Sequence, residues 1–428
     1  MGLPRDLTRV QRVNQMSQTH RLITPILIMG SIILLINFAI RASFGVFQIP
    51  IANEFGWARE EFSLALAIQN LAWGIGQPIF GAIADKLGDR KAIILGALVY
   101  AAGLVLSAFA TSPEAHQVYE FLVGFGIAGT GFGVILAIVG RASSDQHRSM
   151  SLAIATAAGS AGQVVGPLLA QLLLSAMPWQ TVFLLFAGII LATLLLLPMM
   201  RVAPRAPKAE GDAPLSAIVG RAMQDSNYIL IFLGFFSCGY QLGFMTAHFP
   251  AFITEACGAI NPGGFLYTLG ITSTSTLGAA ALSVIGLTNI AGTLAAGYLG
   301  NRYSKKNLLA AVYLARALVT FGFINFPITP VSVLIFSALM GMLWLATVPL
   351  TSGLVAYIFG LRYMGTLYGI VFFSHQLGSF IGIWLGGRMF DVYGSYTLVW
   401  WIGVSVGLFS ALVHLPIREK PTVMLGAN

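Results

Sequence analysis

Gly81-Ala82-Ile83-Ala84-Asp85-Lys86-Leu87-Gly88-Asp89-Arg90-Lys91 returns in weakened form as Gly297-Tyr298-Leu299-Gly300-Asn301-Arg302-Tyr303-Ser304-Lys305-Lys306, 216 positions further along a chain of 428 residues. Each copy joins two long apolar stretches, so the second half of the chain repeats the first. Self-similarity at this separation marks duplication of a structural unit. Two copies of a helical membrane unit pack as pseudo-symmetric bundles with a cavity between them, an arrangement suited to alternating access.

The composition requires that environment. The chain is 57% hydrophobic and 9% charged, with a mean hydropathy of +0.82, so lipid must be its main solvent. The first twenty-one residues are polar and basic, with Arg5, Arg9, Arg12 and Arg21, and lack the short apolar core of a secretory signal. Cys238 and Cys257 lie 19 residues apart around one predicted helix. That is roughly 28 Å, too far for a disulfide.

Apolar stretches of spanning length fall near 22–49, 62–84, 92–111, 118–140, 150–176 and 180–200, then near 227–253, 269–299, 307–326, 331–357, 364–387 and 394–416. The reading is an all-α membrane protein with twelve transmembrane helices in two pseudo-symmetric six-helix bundles. It divides into an N-terminal tail over 1–21, bundles over 22–200 and 227–416, a polar, proline-bearing linker over 201–226 and a C-terminal tail over 417–428. Nineteen of the 23 basic residues then lie on one side. The retention of Lys and Arg on the cytoplasmic face makes that side cytoplasmic, with both termini there. The net charge of +8 is a topology signal rather than a nucleic-acid surface. Gly129 and Gly133, Gly162 and Gly166, and Gly378, Gly382 and Gly386 are spaced for close helix packing. Trp57, Trp179, Trp400 and Trp401 are expected as interface anchors.

The Gly81–Lys91 motif closely resembles the signature between helices 2 and 3 of the major facilitator superfamily, and the second copy occupies the equivalent loop between helices 8 and 9. Phe55-Gly56-Trp57, Asn289-Ile290-Ala291-Gly292, Tyr313-Leu314-Ala315-Arg316, His375-Gln376-Leu377-Gly378 and the stretch from Gly386 to Tyr396 resemble bacterial monocarboxylate porter and oxalate/formate antiporter relatives. The resemblance implies the major facilitator fold, a place in the bacterial inner membrane, and a small carboxylate as cargo. It also implies a gate formed by Gly81, Asp85, Gly88 and Arg90, with Asp85 paired to Arg90 and Arg141. Asn301 and Arg302 are the counterparts in the second copy, where the missing carboxylate predicts a weaker lock. Gly162 to Pro167 faintly resembles the antiporter motif of drug exporters.

All fifteen acidic residues are expected in loops or at helix ends, whereas Arg41 and Arg316 fall inside spans 1 and 9. An intramembrane Arg costs at least about 2.5 kcal/mol and is functional by default. Both are therefore expected to face the cavity and hold an anion, since Arg can grip a carboxylate with two N–H groups. His248 and His375 are the candidates for proton exchange. Gln69, Asn70, Trp73 and Gln77, Gln163, Tyr240 and Gln241, Asn289, Trp344 and Gln376 would complete a polar pocket with aromatic walls. Such walls also suit a larger aromatic or vitamin-like acid, or a drug or metabolite for export.

The chain lacks H-E-x-x-H, an intramembrane Asp pair and G-x-x-x-x-G-K-[ST], so no enzyme, metal site, cofactor or direct use of ATP is expected. The expectation is a monomeric secondary transporter of a small organic anion, working by proton symport or anion exchange.

Overall fold

Thr24 starts the first helix by a local device. Its backbone is extended, its side-chain oxygen accepts from Leu27 N–H at 3.2 Å, and Pro25 occupies the first helical position. This helix, α1 (Pro25–Phe55), ends at Gly56, whose φ of 70° is the left-handed cap that glycine favours. The computed structural model describes residues 22–144, 147–200, 215–360 and 364–422. The expected tail over 1–21, residues 201–214 of the linker, the end of the C-terminal tail and the Asp85 side chain lie outside the described residues.

The other helices of the first half are α2 (Arg59–Leu87), α3 (Asp89–Ala108), α4 (Pro113–Thr130), α5 (Phe132–Ala142), α6 (Arg148–Ala176) and α7 (Trp179–Ala192). After α8 (Leu215–Gln224), the second half holds α9 (Ser226–Ala256), the short α10 (Phe265–Thr268), α11 (Thr274–Gly300), α12 (Lys305–Asn325), α13 (Pro330–Leu343), α14 (Thr347–Phe359), α15 (Met364–Tyr393) and α16 (Thr397–His414). No strand occurs among the described residues.

Among the described residues, eleven segments are long and apolar enough to cross a bilayer. The second of the twelve expected spans is α2, whose 29 residues could bridge about 30 Å of hydrocarbon with length to spare. Its hydropathy is lowered by Gln69, Asn70 and Gln77, all buried between helices rather than facing lipid.

Packing repeats between the halves. In the first, α1 lies on α6, α2 on α4 and α3 on α7; in the second, α9 lies on α15, α11 on α13 and α12 on α16. Gly162 and Gly166 let α6 approach the α1 backbone at Leu35 and Ala39, as Gly378 and Gly382 let α15 approach α9 at Phe236 and Tyr240. The helices α2 with α15, and α6 with α11, join the halves.

Spans 4 and 10, which occupy corresponding positions, are each broken. The first break is at Gly131, between α4 and α5, and the second is at Trp344 to Ala346, between α13 and α14. Discontinuous helices at matching positions of a repeat are the usual frame of a midplane binding site. The tryptophan expectation needs correction: Trp179 and Trp400 are each only 4% exposed. Trp179 donates to Glu54 at 2.5 Å, and Trp400 packs among Phe244, Phe252 and Phe336. Their rings fill gaps inside a bundle, while Trp401, 42% exposed, keeps the position of an anchor.

Candidate functional site

The two breaks bring Phe132 and Trp344 to the walls of a central cavity of about 40 Å³, also lined by Phe38, Arg41, Trp73, Gln163, Phe372 and His375. That volume holds about three waters. Both halves contribute, so the cavity lies where motion of one bundle against the other would change its shape.

Arg41 is the cationic wall. It is half-buried, and its guanidinium carbon sits 4.7 Å from the centre of the Trp73 ring and 5.9 Å from that of Phe38. One arm donates to Asn70 Oδ1 at 2.8 Å, while Nε is buried without a partner. No carboxylate among the described residues forms an ion pair with it. Trp73 is held in place by donating to Gln77 at 2.9 Å. From the second half, His375 lies parallel to Phe372 with ring centres 5.3 Å apart, and its Nδ1 is 3.2 Å from Gln376 Oε1. Of the expected pocket, the structure thus gathers Arg41, Trp73, Gln163, Trp344 and His375 at the cavity, with Asn70, Gln77 and Gln376 directly behind them.

The remaining expected ligands lie elsewhere. Arg316 is fully buried and does not line the cavity. Its Nε and Nη2 donate to Leu343 O at 3.0 and 2.6 Å, and Nη2 also donates to Trp344 O. These carbonyls belong to the broken end of α13, which has no following turn to satisfy them. The expectation that Arg316 grips the cargo is corrected accordingly: it caps the break. Asn289 supports the same break by accepting from Leu345 N–H at 2.9 Å while donating to Ser160 of the other half at 2.9 Å. Tyr240 and Gln241 tie α9 to α16 by donating to Val399 O and Gly403 O. They line a separate cavity of about 10 Å³. His248 is fully buried, 2.7 Å from Ile383 O, with Gly386 opposite its ring. It too is interhelical glue.

One buried carboxylate overturns the expectation that acids stay at helix ends. Glu120 is fully buried in α4. It accepts from Gln69 at 2.7 Å and from Ser107 at 3.1 Å. The sequence carries the signal that places it there. Ser112 caps α4 by accepting from Ala115 N–H, and Pro113 follows it. A Ser-Pro start at this point leaves Glu120 two turns inside the helix.

At the motif loops, Gly88, at φ 98°, turns α2 directly into α3, a conformation that excludes most side chains. Gly81 faces Gly365 across the halves. Arg141 pairs with Asp89 at 2.7 Å, and Arg90 reaches Met200 O at 3.5 Å. The expected partner Asp85 falls on an undescribed side chain. In the second copy, Asn301 caps α11 and Arg302 stacks 4.2 Å over Tyr298. The acid missing there is supplied by Glu419, which accepts from Ser304 Oγ and from the backbone N–H groups of Lys305 and Lys306.

The model of the family described as Major Facilitator Superfamily matches residues 30–383. The chain belongs to the major facilitator superfamily. It is 26% identical over 398 residues to the uncharacterized MFS-type transporter YcxA of Bacillus subtilis (strain 168), covering 89% of this chain and 91% of that one. Monocarboxylate transporter 13 of Bos taurus is 25% identical, with 90% and 88% covered. Multidrug resistance protein MdtH of Escherichia coli O157:H7 is 26% identical, with 94% and 95% covered. The crystal structure of the E. coli fucose:proton symporter FucP superposes with a TM-score of 0.64 at 17% identity, covering 92% of this chain and 99% of that one. This major facilitator protein is therefore a multi-pass membrane protein and a secondary transporter.

Proposed function

We propose that this transporter carries a small monocarboxylate-like anion, and that Arg41 binds its carboxylate. The observation behind the reading is a guanidinium on the cavity wall with no carboxylate ion partner among the described residues. A cation so placed stabilises a negative charge brought into a low-dielectric chamber. The similarity to a protein named monocarboxylate transporter 13 is consistent with it. In this reading the protein sits in the bacterial inner membrane as a monomer with both chain ends cytoplasmic, and performs no chemical step.

A ring-bearing acid is the second reading, favoured by the aromatic walls Phe38, Trp73, Phe132, Trp344 and Phe372. Uptake of radiolabelled L-lactate and benzoate into proteoliposomes separates the two. Arg41→Gln should weaken binding of whichever acid is carried by about 10- to 150-fold, the worth of one charge-assisted hydrogen bond at about 1.5–3 kcal/mol. Wild-type affinity in that variant would remove Arg41 from the site and the anion reading with it.

A further inference from the structure

We infer that the loop between spans 8 and 9 binds the headgroup phosphate of an anionic phospholipid, through Arg302 and Lys305. The two copies of the repeated motif differ in how their cations are matched. In the first, Arg141 is neutralised by Asp89 at 2.7 Å. In the second, Arg302 is exposed, and no carboxylate among the described residues forms an ion pair with it. Its guanidinium rests instead on the Tyr298 ring, 4.2 Å from the ring centre. An aromatic face orients a cation without cancelling its charge.

The depth of Tyr298 shows what this cation meets. It lies two residues before the end of α11, and 48% of it is exposed. Leu287, Ala291 and Ala295 of the same helix are exposed too, at a spacing of four and then three residues up to Tyr298. That spacing draws one apolar stripe along a span, which in a bilayer faces acyl chains. Tyrosine at the end of such a stripe marks headgroup level. Arg302 is thereby fixed where a lipid phosphate lies, directly above the surface along which that lipid's chain would run.

Lys305 adds a second cation from α12. Its stem crosses α14 at Gly353, where an added Cβ would stand 3.3 Å from Cε. Its Nζ is 5.5 Å from the centre of the Tyr357 ring. Tyr357 repeats the placing of Tyr298: it is two residues from the end of α14 and 48% exposed. Spans 8 and 10 run in the same direction, so both rings sit at one level. Tyr303, beside Arg302, is 62% exposed and extends the aromatic rim.

One acid lies close by. Glu419 is 3.8 Å from Lys305 Nζ, but its oxygens also accept from Ser304 Oγ and from the N–H groups of Lys305 and Lys306. Lys306 turns its own Nζ to Leu415 O, away from the tyrosines. Arg302 and Lys305 thus keep donors for a phosphate, and arginine can offer its oxygens two parallel N–H groups. A basic pocket between spans at headgroup level is suited to an anionic lipid, whose chains add apolar contact that a free phosphate lacks.

Native mass spectrometry of the full-length protein in detergent, titrated with dioleoyl phosphatidylglycerol, tests the site without knowledge of the cargo. Dioleoyl phosphatidylcholine, whose phosphate is offset by its own choline, should bind more weakly. Arg302→Gln should weaken phosphatidylglycerol binding about fivefold, the equivalent of about 1 kcal/mol for one basic residue at an anionic surface. Tyr298→Leu keeps the apolar stripe and frees the guanidinium, and should weaken it about two- to fivefold. Lys91→Gln, which takes the same charge from an exposed position on the other bundle, should leave binding unchanged. Equal binding of the two lipids, or full binding in Arg302→Gln, overturns the proposal. An equal loss in Lys91→Gln also overturns it, by showing diffuse attraction to a chain of net charge +8. Displacement of the lipid by millimolar inorganic phosphate would make the loop a site for the free ion and overturn the assignment to lipid.

Discussion

Replacing Arg316 by Met should damage the fold and spare anion binding. The side chain makes three hydrogen bonds to the carbonyls of Leu343 and Trp344. Hydrogen bonds to a charged group contribute about 1.5–3 kcal/mol each. The gross loss is offset by relief of the desolvation penalty of a buried guanidinium, several kcal/mol in size. What remains is two buried carbonyls stripped of their donors, at about 1–3 kcal/mol apiece. A net destabilisation of about 3 kcal/mol follows, within the range found when one member of a buried charged pair is removed. At about 2 °C per kcal/mol for a chain of this size, the melting midpoint should fall by about 6 °C. Thermal unfolding of purified protein in detergent measures that fall. A titration with the transported acid, monitored by tryptophan fluorescence, measures binding at temperatures where the variant is folded. An unchanged midpoint together with lost anion binding would refute the capping role and return Arg316 to the cavity wall.

Three further outcomes follow from the packing. Asn289→Ala leaves the buried Leu345 N–H unpaired and cuts the bond to Ser160; it should cost about 1–3 kcal/mol, read as a lower melting midpoint with unaltered Arg41-dependent binding. In Gly124→Ala a Cβ would run into the backbone of Gln69, so destabilisation of about 1–3 kcal/mol from overpacking should exceed the helix-propensity gain of about 1 kcal/mol; a more stable variant would show that α2 and α4 can separate freely. Glu60 joins the halves at the end away from the motif loops, through Arg388 at 3.1 Å and by its own N–H to Asp391. Because the pair is solvent-exposed, Glu60→Gln should shift the closed population by no more than about fivefold, the equivalent of about 1 kcal/mol; faster maleimide labelling of Ser63→Cys, which lies against Gly387, would register the shift, and an unchanged labelling rate would deny the pair any part in closure.

Hydropathy and the repeated motif were enough to read the fold, because a bilayer leaves few ways to satisfy a backbone. The site was legible only in part. Arg41 could be read from its depth in α1, since nothing short of a cavity or partner makes such a charge tolerable. Arg316 follows the same rule and meets a different partner: the break between α13 and α14 frees carbonyls that no residue pattern announces, so two arginines with similar sequence settings part company in three dimensions. Glu120 was hidden by a window that begins the fourth span at residue 118 rather than at the Ser112 cap. The polar residues of α2 show the reverse effect: Gln69, Asn70 and Gln77 lower its hydropathy because they turn inward to bind Glu120, Arg41 and Trp73.

Glu419 sits five residues past the end of α16 at His414, yet it holds the amino end of α12 and stands in for the acid that the second motif lost. The stretch after α16 is consequently a working component of the loop between spans 8 and 9. A chain truncated just ahead of that glutamate would lose a clasp, and an affinity tag grafted directly onto Ile417 would do the same damage. The span 8–9 loop can be secured only after the stretch that follows span 12 has been synthesised.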